Sequence, residues 1–230
     1  MSLLSGSARL TTTPLHNMRL SLIGMAGSGK SYWSRKLSAH GFTRFCCDDM
    51  IADKLSPELK RSGGVTMQVS EWMGFPYEPH YPERESRYLA YEIEVMSEIL
   101  GYLEHPQNIR EQNIVVDTTG SVIYTGHKSL IELQRLTTVV HLETPPEVQG
   151  ELLKAYTTKP HPMLWRDTFT KEPNESNEQA LIRCYPRLFS NRQRLYERYA
   201  DVRLDYFALR KKNFGVSDFL RDVEVKSEEH

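Results

Sequence analysis

Cysteine is scarce: three in 230 residues, with Cys46 and Cys47 adjacent and Cys184 far from both. Lacking a Cys-x-x-Cys pair or an even set, the chain encodes neither a disulfide framework nor a thiolate zinc site, and a reducing, cytoplasmic setting is expected. The eight histidines are scattered singly, so imidazole gives zinc no local support either. Long apolar runs are missing. Stretches such as Leu20–Ile23 and Ile114–Val116 fall far below the roughly 20 residues of a membrane helix, so no membrane partner is expected. The start shows no charged region followed by a long apolar stretch and does not read as a secretory signal. Neither charge sign dominates: 29 Lys and Arg against 30 Asp and Glu leave a net charge of −1. That balance argues against a chain that coats nucleic acid along its length. No internal repeat or low-complexity block occurs. What is present suffices for a core, because 39% hydrophobic residues with 10% aromatics exclude wholesale disorder.

Residues 1–17 lack periodicity and read as a disordered leader, and Lys226–His230 as a polar tail. Between them, short apolar runs alternate with helical patterns. Strands are expected at Met18–Ile23, Phe42–Cys46, Ile114–Val116, Val139–Leu142 and Val202–Leu204. Helices are expected at Lys30–His40, Thr125–Leu136, Glu83–Leu103 and Asn177–Ala200, the last kinked or split at Pro186. In Glu83–Leu103 the apolar stripe is Leu89, Ile93, Met96, Leu100 and Leu103. In Asn177–Ala200 it is Leu181, Tyr185, Leu188, Leu195 and Tyr199. A further helix should start at Thr144-Pro145-Pro146-Glu147, with Thr144 as its cap. Strands alternating with helices imply an α/β fold: a parallel sheet of about five strands with helices on both faces. One domain over 18–224 is expected.

The most informative segment is Gly24-Met25-Ala26-Gly27-Ser28-Gly29-Lys30-Ser31, a Gly-x-x-x-x-Gly-Lys-Ser string between a strand and a helix. Gly24 and Gly29 allow backbone conformations closed to other residues and let phosphate oxygens approach. The loop N–H groups then form an inward nest at the positive end of the helix. Lys30 reaches the β- and γ-phosphates and the Ser31 hydroxyl ligates magnesium. Gly24, Ala26, Gly27, Ser28, Gly29, Lys30, Ser31 and Tyr32 are therefore the expected nucleotide-binding residues, with ATP and Mg2+ as cofactors.

A phosphate loop needs a carboxylate near the metal. Asp117 follows a buried-looking strand at its carboxyl end, where open α/β sheets carry ligands. It suits the magnesium shell with Ser31; the alternative is a cap for the next turn. Asp48 and Asp49 either cap a helix near Met50 or supply, through Asp48, a carboxylate that accepts the substrate hydroxyl. Lys30, Asp48 and Asp117 are the catalytic candidates.

These strings resemble the shikimate kinases. The opening Leu22–Ser31 is similar to theirs. Asp48-Asp49-Met50-Ile51 resembles their Asp-x-Asp-x-x-Ile segment, with Asp48 on the second Asp. Asp117–Ser121 falls where they carry Thr-Gly-Gly-Gly. Val139–Glu147 resembles their fourth strand and next helix start, and Arg192-Gln193-Arg194-Leu195-Tyr196 with Tyr199-Ala200-Asp201 their ending. The likeness spans roughly residues 18–206. It implies a mobile lid and transfer of the ATP γ-phosphoryl to an alcohol of a small anionic ring. Several substrate-side positions depart from the pattern. The family's first Asp is Cys46, only Gly120 remains of three glycines, the lid Arg-Pro-Leu-Leu reads His161-Pro162-Met163-Leu164, and a substrate Arg is Leu89. The expected function is thus a shikimate kinase-like phosphotransferase with an altered acceptor site. A nucleoside, nucleotide or sugar-acid kinase, or a nucleotide-binding switch, stand beside it.

Asp48, Gly120 and Arg192 are the expected acceptor-binding residues. Arg192 falls on an apolar helix face, where a buried guanidinium needs a partner; a bound carboxylate or phosphate would serve. Arg84, Arg87 and Tyr91 either line the acceptor site or form a solvated face. Residues 52–112 form an insert, with an aromatic, Pro-rich stretch at 70–81, that either shapes an acceptor pocket or packs on itself. Residues 157–178, with Lys159 and Arg166 around Pro160-His161-Pro162, read as a lid or an exposed loop.

Overall fold

A computed structural model describes residues 17–61, 64–105 and 113–227. The expected leader falls almost wholly outside the described residues, as do 106–112 of the insert and the last three residues of the tail. Five strands appear where apolar runs required them: β1 Arg19–Ile23, β2 Thr43–Cys46, β3 Ile114–Asp117, β4 Thr138–Leu142 and β5 Val202–Leu204. All pair in parallel, in the order β2-β3-β1-β4-β5. Helices α1 Lys30–Ser38, α2 Cys47–Leu59, α3 Val69–Met73, α4 Tyr81–Glu104, α5 His127–Leu136, α6 Gln149–Thr158, α7 Asn177–Tyr199 and α8 Val216–Ser227 surround the sheet. None is long and apolar enough to cross a membrane.

The strand side chains alternate between two cores, as a sheet covered on both faces requires. Leu20, Leu22, Val115, Val140 and Leu142 pack with Trp33 and Leu37 of α1 and Phe219, Leu220 and Val223 of α8. Ile23, Ile114, Val116 and Val139 pack on the other side with α2 through α7. Trp33 stacks on Phe219 with ring centroids 4.9 Å apart, behind the loop that opens α1.

Three local expectations are corrected. Thr144 caps nothing: a 3-10 turn begins at Pro146, after Pro145, and the buried Thr144 hydroxyl has no hydrogen-bond partner. Helix α7 is not split at Pro186, which lies inside it. The carbonyl that Pro186 leaves without its helical donor belongs to Ile182, on the exposed side of the helix. On α4 the inward face is Tyr81, Glu85, Tyr88, Glu92, Val95, Met96, Ile99 and Leu103, while Ile93 of the expected stripe points to solvent.

Candidate active site

Cleft walls come from the carboxyl edge of the sheet. The loop between β1 and α1 turns inward at Gly24, with φ +141°, and at Gly29, with φ +111°. A Cβ on Gly24 would stand 2.7 Å from the Leu142 carbonyl oxygen, so strand β4 and the loop can lie together only with glycine there. Ala26, Gly27, Gly29, Lys30, Ser31 and Tyr32 line a cleft of about 420 Å³. Gly24 and Ser28 stand behind that wall, and the Ser28 hydroxyl is buried without a partner. The Lys30 ammonium donates to the carbonyls of Gly24 at 2.7 Å and Met25 at 3.0 Å. Burial lowers its pKa to about 8, against the opposing pull of Asp117 and Asp48.

Across the cleft, Asp48 sits in the first turn of α2. The Tyr88 hydroxyl of α4 donates to its Oδ1 at 3.3 Å. Asp48 is open to solvent, yet the protein around it raises its pKa; Lys30 pulls the other way. Asp49 points outward, its carboxylate 77% exposed and 3.8 Å from Arg44.

Asp117 ends β3 and is 1% exposed. Its Oδ2 accepts from Ser34 Oγ at 2.8 Å and from Arg44 Nη2 at 2.6 Å. Its Oδ1 accepts from Ser31 Oγ at 3.4 Å. The expected Ser31–Asp117 pair therefore meets. A hydroxyl and a carboxylate oxygen are donors suited to a hard cation that keeps waters and phosphate oxygens as its other ligands, which fits magnesium. No cluster of three or more His, Cys, Asp or Glu that would hold a metal by itself occurs among the described residues.

After β3, the turn carries Thr119 and Gly120 into the cleft. Behind it lies Glu92 of α4, fully buried, accepting hydrogen bonds from Thr119 and, at 2.8 Å, from Ser121. Burial lifts this carboxyl to about 7 despite those two hydroxyls. Arg192 is brought behind the same turn rather than into the cleft. It is 1% exposed, and its Nη1 and Nη2 donate to the carbonyls of Gly120 at 3.1 Å and Leu164 at 2.7 Å. Backbone oxygens thus take the place of the expected anionic partner, while Nε has none. Arg84 donates to the Trp72 carbonyl, and Arg87 and Tyr91 to Glu58, so α4 turns these three away from the cleft.

The lid region is split. His161 and Pro162 line the cleft, and Lys159 is exposed. Met163, Leu164 and Trp165 are buried in the core. The Tyr81 hydroxyl donates to the Met163 carbonyl at 2.7 Å and accepts from Trp165 N–H at 2.9 Å. Arg166 N–H donates to Glu85 at 2.8 Å.

Sequence reasoning missed Arg44, Tyr88, Glu92 and Arg210. Arg44 lies on β2 two residues before Cys46, which pairs in register with Asp117, a pairing that only the fold reveals. Arg210 donates from Nη2 to the Gly27 carbonyl at 3.0 Å, and its guanidinium lies 3.3 Å from the Tyr206 ring centroid. With Tyr32, Trp33, Lys36, Lys211, Lys212 and Phe214 it borders a second cavity of about 400 Å³ beside the loop.

No family model matches the chain, and no curated protein matches it. Solved structures do. A shikimate kinase from Acinetobacter baumannii in complex with shikimate matches over 92% of this chain and 93% of its own, at 19% identity and a TM-score of 0.55. A shikimate kinase from Bacteroides thetaiotaomicron matches over 92% and 95%, at 15% identity and a TM-score of 0.52. At such identities the likeness establishes the fold: this chain has the α/β phosphate-loop fold of these kinases.

Proposed function

We propose that this chain transfers the γ-phosphoryl group of ATP to a hydroxyl of a small molecule. The observation that carries the reading is one cleft with a phosphate loop and Lys30 on one wall and the Asp48–Tyr88 pair on the other. Loop amides and Lys30 hold the β- and γ-phosphates, Lys30 leaving its two loop carbonyls to do so. Ser31 and Asp117 hold magnesium, which when bound neutralises charge on the phosphate oxygens. Asp48 orients the acceptor hydroxyl and accepts its proton as the oxygen attacks phosphorus; the ADP oxygen leaves on the opposite side. The raised Asp48 pKa makes it a better proton acceptor than a free carboxylate. The basic, aromatic cavity at Tyr32, Trp33 and Arg210 supports a purine site, since rings and guanidinium planes stack on bases. Arg192 braces the Gly120 turn from behind. Most of the rate enhancement then comes from positioning and charge neutralisation.

The test pairs calorimetric titration of Mg-ATP with acceptor-stimulated ADP release, for the chain and for Lys30→Ala. Nucleotide heat in the parent chain, with turnover reduced at least 100-fold in a variant of unchanged circular dichroism, is expected. Silence with every magnesium-bound purine nucleotide, or near-normal turnover in Lys30→Ala, defeats the reading.

A further inference from the structure

The acceptor half of the cleft is lined by Asp48, Val69, Tyr88, Thr119, Gly120 and His161. Among the described residues, no guanidinium lines it, and the one ammonium, Lys30, belongs to the phosphate loop. The nearby cations are already committed. Arg192 gives both terminal nitrogens to backbone carbonyls, Arg44 is held by Asp117, Arg166 faces Glu85, and Arg84 and Arg87 turn to Trp72 and Glu58. Two carboxyl groups stand on this side instead: Asp48 in the wall and Glu92 behind Thr119. Burial drops His161 to about 4, so its ring is neutral near pH 7, and its buried Nε2 has no partner.

An acceptor carboxylate brought here would set acceptor oxygens against the Asp48 carboxylate with no cation but Lys30 lining the cleft among the described residues, and burying it would be costly. An acceptor made of hydroxyls behaves differently. Each O–H donates to Asp48 or to the hydroxyl oxygens of Tyr88 and Thr119, whose own protons go to Asp48 and Glu92, and the neutral imidazole offers one donor or one acceptor. The cleft of about 420 Å³ is shared with the triphosphate tail, which leaves room for a small molecule. We propose, resting on the phosphotransfer reading, that the acceptor is an uncharged polyol of single-ring or open-chain size, held by Asp48, Tyr88, Thr119 and His161. The expected anionic acceptor is replaced by a neutral one.

Matched pairs test this: a pyranose and its uronate, a cyclitol and its ring carboxylate, an alditol and its aldonate. Each is titrated by calorimetry at pH 7.5 into the full chain saturated with Mg-ADP, and assayed for ADP release with Mg-ATP. In at least one pair the neutral member should bind at least tenfold tighter and be phosphorylated, with no pair favouring the carboxylate. His161→Arg should then shift that ratio at least tenfold toward the carboxylate. A carboxylate preferred by the unmodified chain, equal binding within all pairs, or no binding by any member overturns the proposal. If the carboxylate wins and Arg192→Gln abolishes its advantage, the unbonded Arg192 Nε is its partner. Absence of heat in the prior Mg-ADP titration strikes the phosphotransfer reading itself and is separable from these outcomes.

Discussion

Asp117 is a buried carboxylate whose charge is met by one arginine and two hydroxyls. Removing one partner of such a pair leaves an uncompensated charge, which typically costs about 3–5 kcal/mol when both are buried. Arg44 retains 20% exposure, so Arg44→Ala should lose on the order of 2 kcal/mol in urea unfolding. An unchanged midpoint would mean that Ser34 and water suffice. Lys30 supplies a second test at this scale. In the free chain its ammonium loses its proton around pH 8, well below the ordinary lysine range. Phosphate binding favours the charged form, so binding above pH 8 must take up a proton and weaken as pH rises, up to about tenfold per unit. Calorimetry in two buffers of different ionisation heat reads that uptake; none at pH 8.5 would show that the ammonium stays charged without nucleotide. The glycine loop between β1 and α1 was legible in sequence because the spacing of Gly24 and Gly29 fixes where the backbone turns. Arg44 was not, since a lone arginine in a short strand does not announce a carboxylate 73 residues away in the chain.

Helix α4 shows how an expected stripe can be right in part: Met96 and Leu103 are buried and Leu89 and Leu100 pack against the core, while Ile93 is exposed. Leucines and isoleucines at helical spacing suggested a stripe through Leu89 and Ile93. The inner face also holds Tyr81, Glu85, Tyr88 and Glu92, four polar-capable side chains satisfied by hydroxyls, carbonyls and backbone N–H groups. Hydrophobic periodicity is blind to polar groups buried with partners; of these four, Tyr88 reaches the cleft and the others support what lies behind it. Glu92 has a measurable consequence. Its folded pKa of about 7 lies above the usual glutamate value of 4.5, so the native chain binds more protons than the unfolded one between those limits. Stability therefore falls as pH rises through that window, by about 3 kcal/mol at most. Glu92→Gln should flatten the dependence between pH 5 and pH 8 in chemical denaturation. Parallel curves for the two proteins would place the charge elsewhere. The three central strands were legible because each is a largely apolar run bounded by breakers, whereas the cap at Thr144 failed because two prolines in succession displaced the turn.

Over the whole molecule, the sheet separates two cores, and the smaller one depends on the C-terminal helix. Val216, Phe219, Leu220 and Val223 cover Trp33 and Leu37, which carry the phosphate loop from behind. Burying each such large side chain contributes roughly 1.5–3 kcal/mol, and the sum rivals the 5–15 kcal/mol of a typical domain. A chain ending at Gly215 should therefore lose its cooperative thermal transition, and with it nucleotide binding; a sharp melt in that variant would show that α1 stands without α8. The overall alternation of strands and helices was readable from sequence, but the pairing of α8 with α1 was not, because it joins segments nearly 200 residues apart. Because the Tyr81 hydroxyl bonds both Met163 and Trp165, the chain just beyond Pro162 is fastened to α4. The stretch between α6 and Met163, which sets His161 and Pro162 on the cleft wall, is therefore a short bridge pinned at its far end.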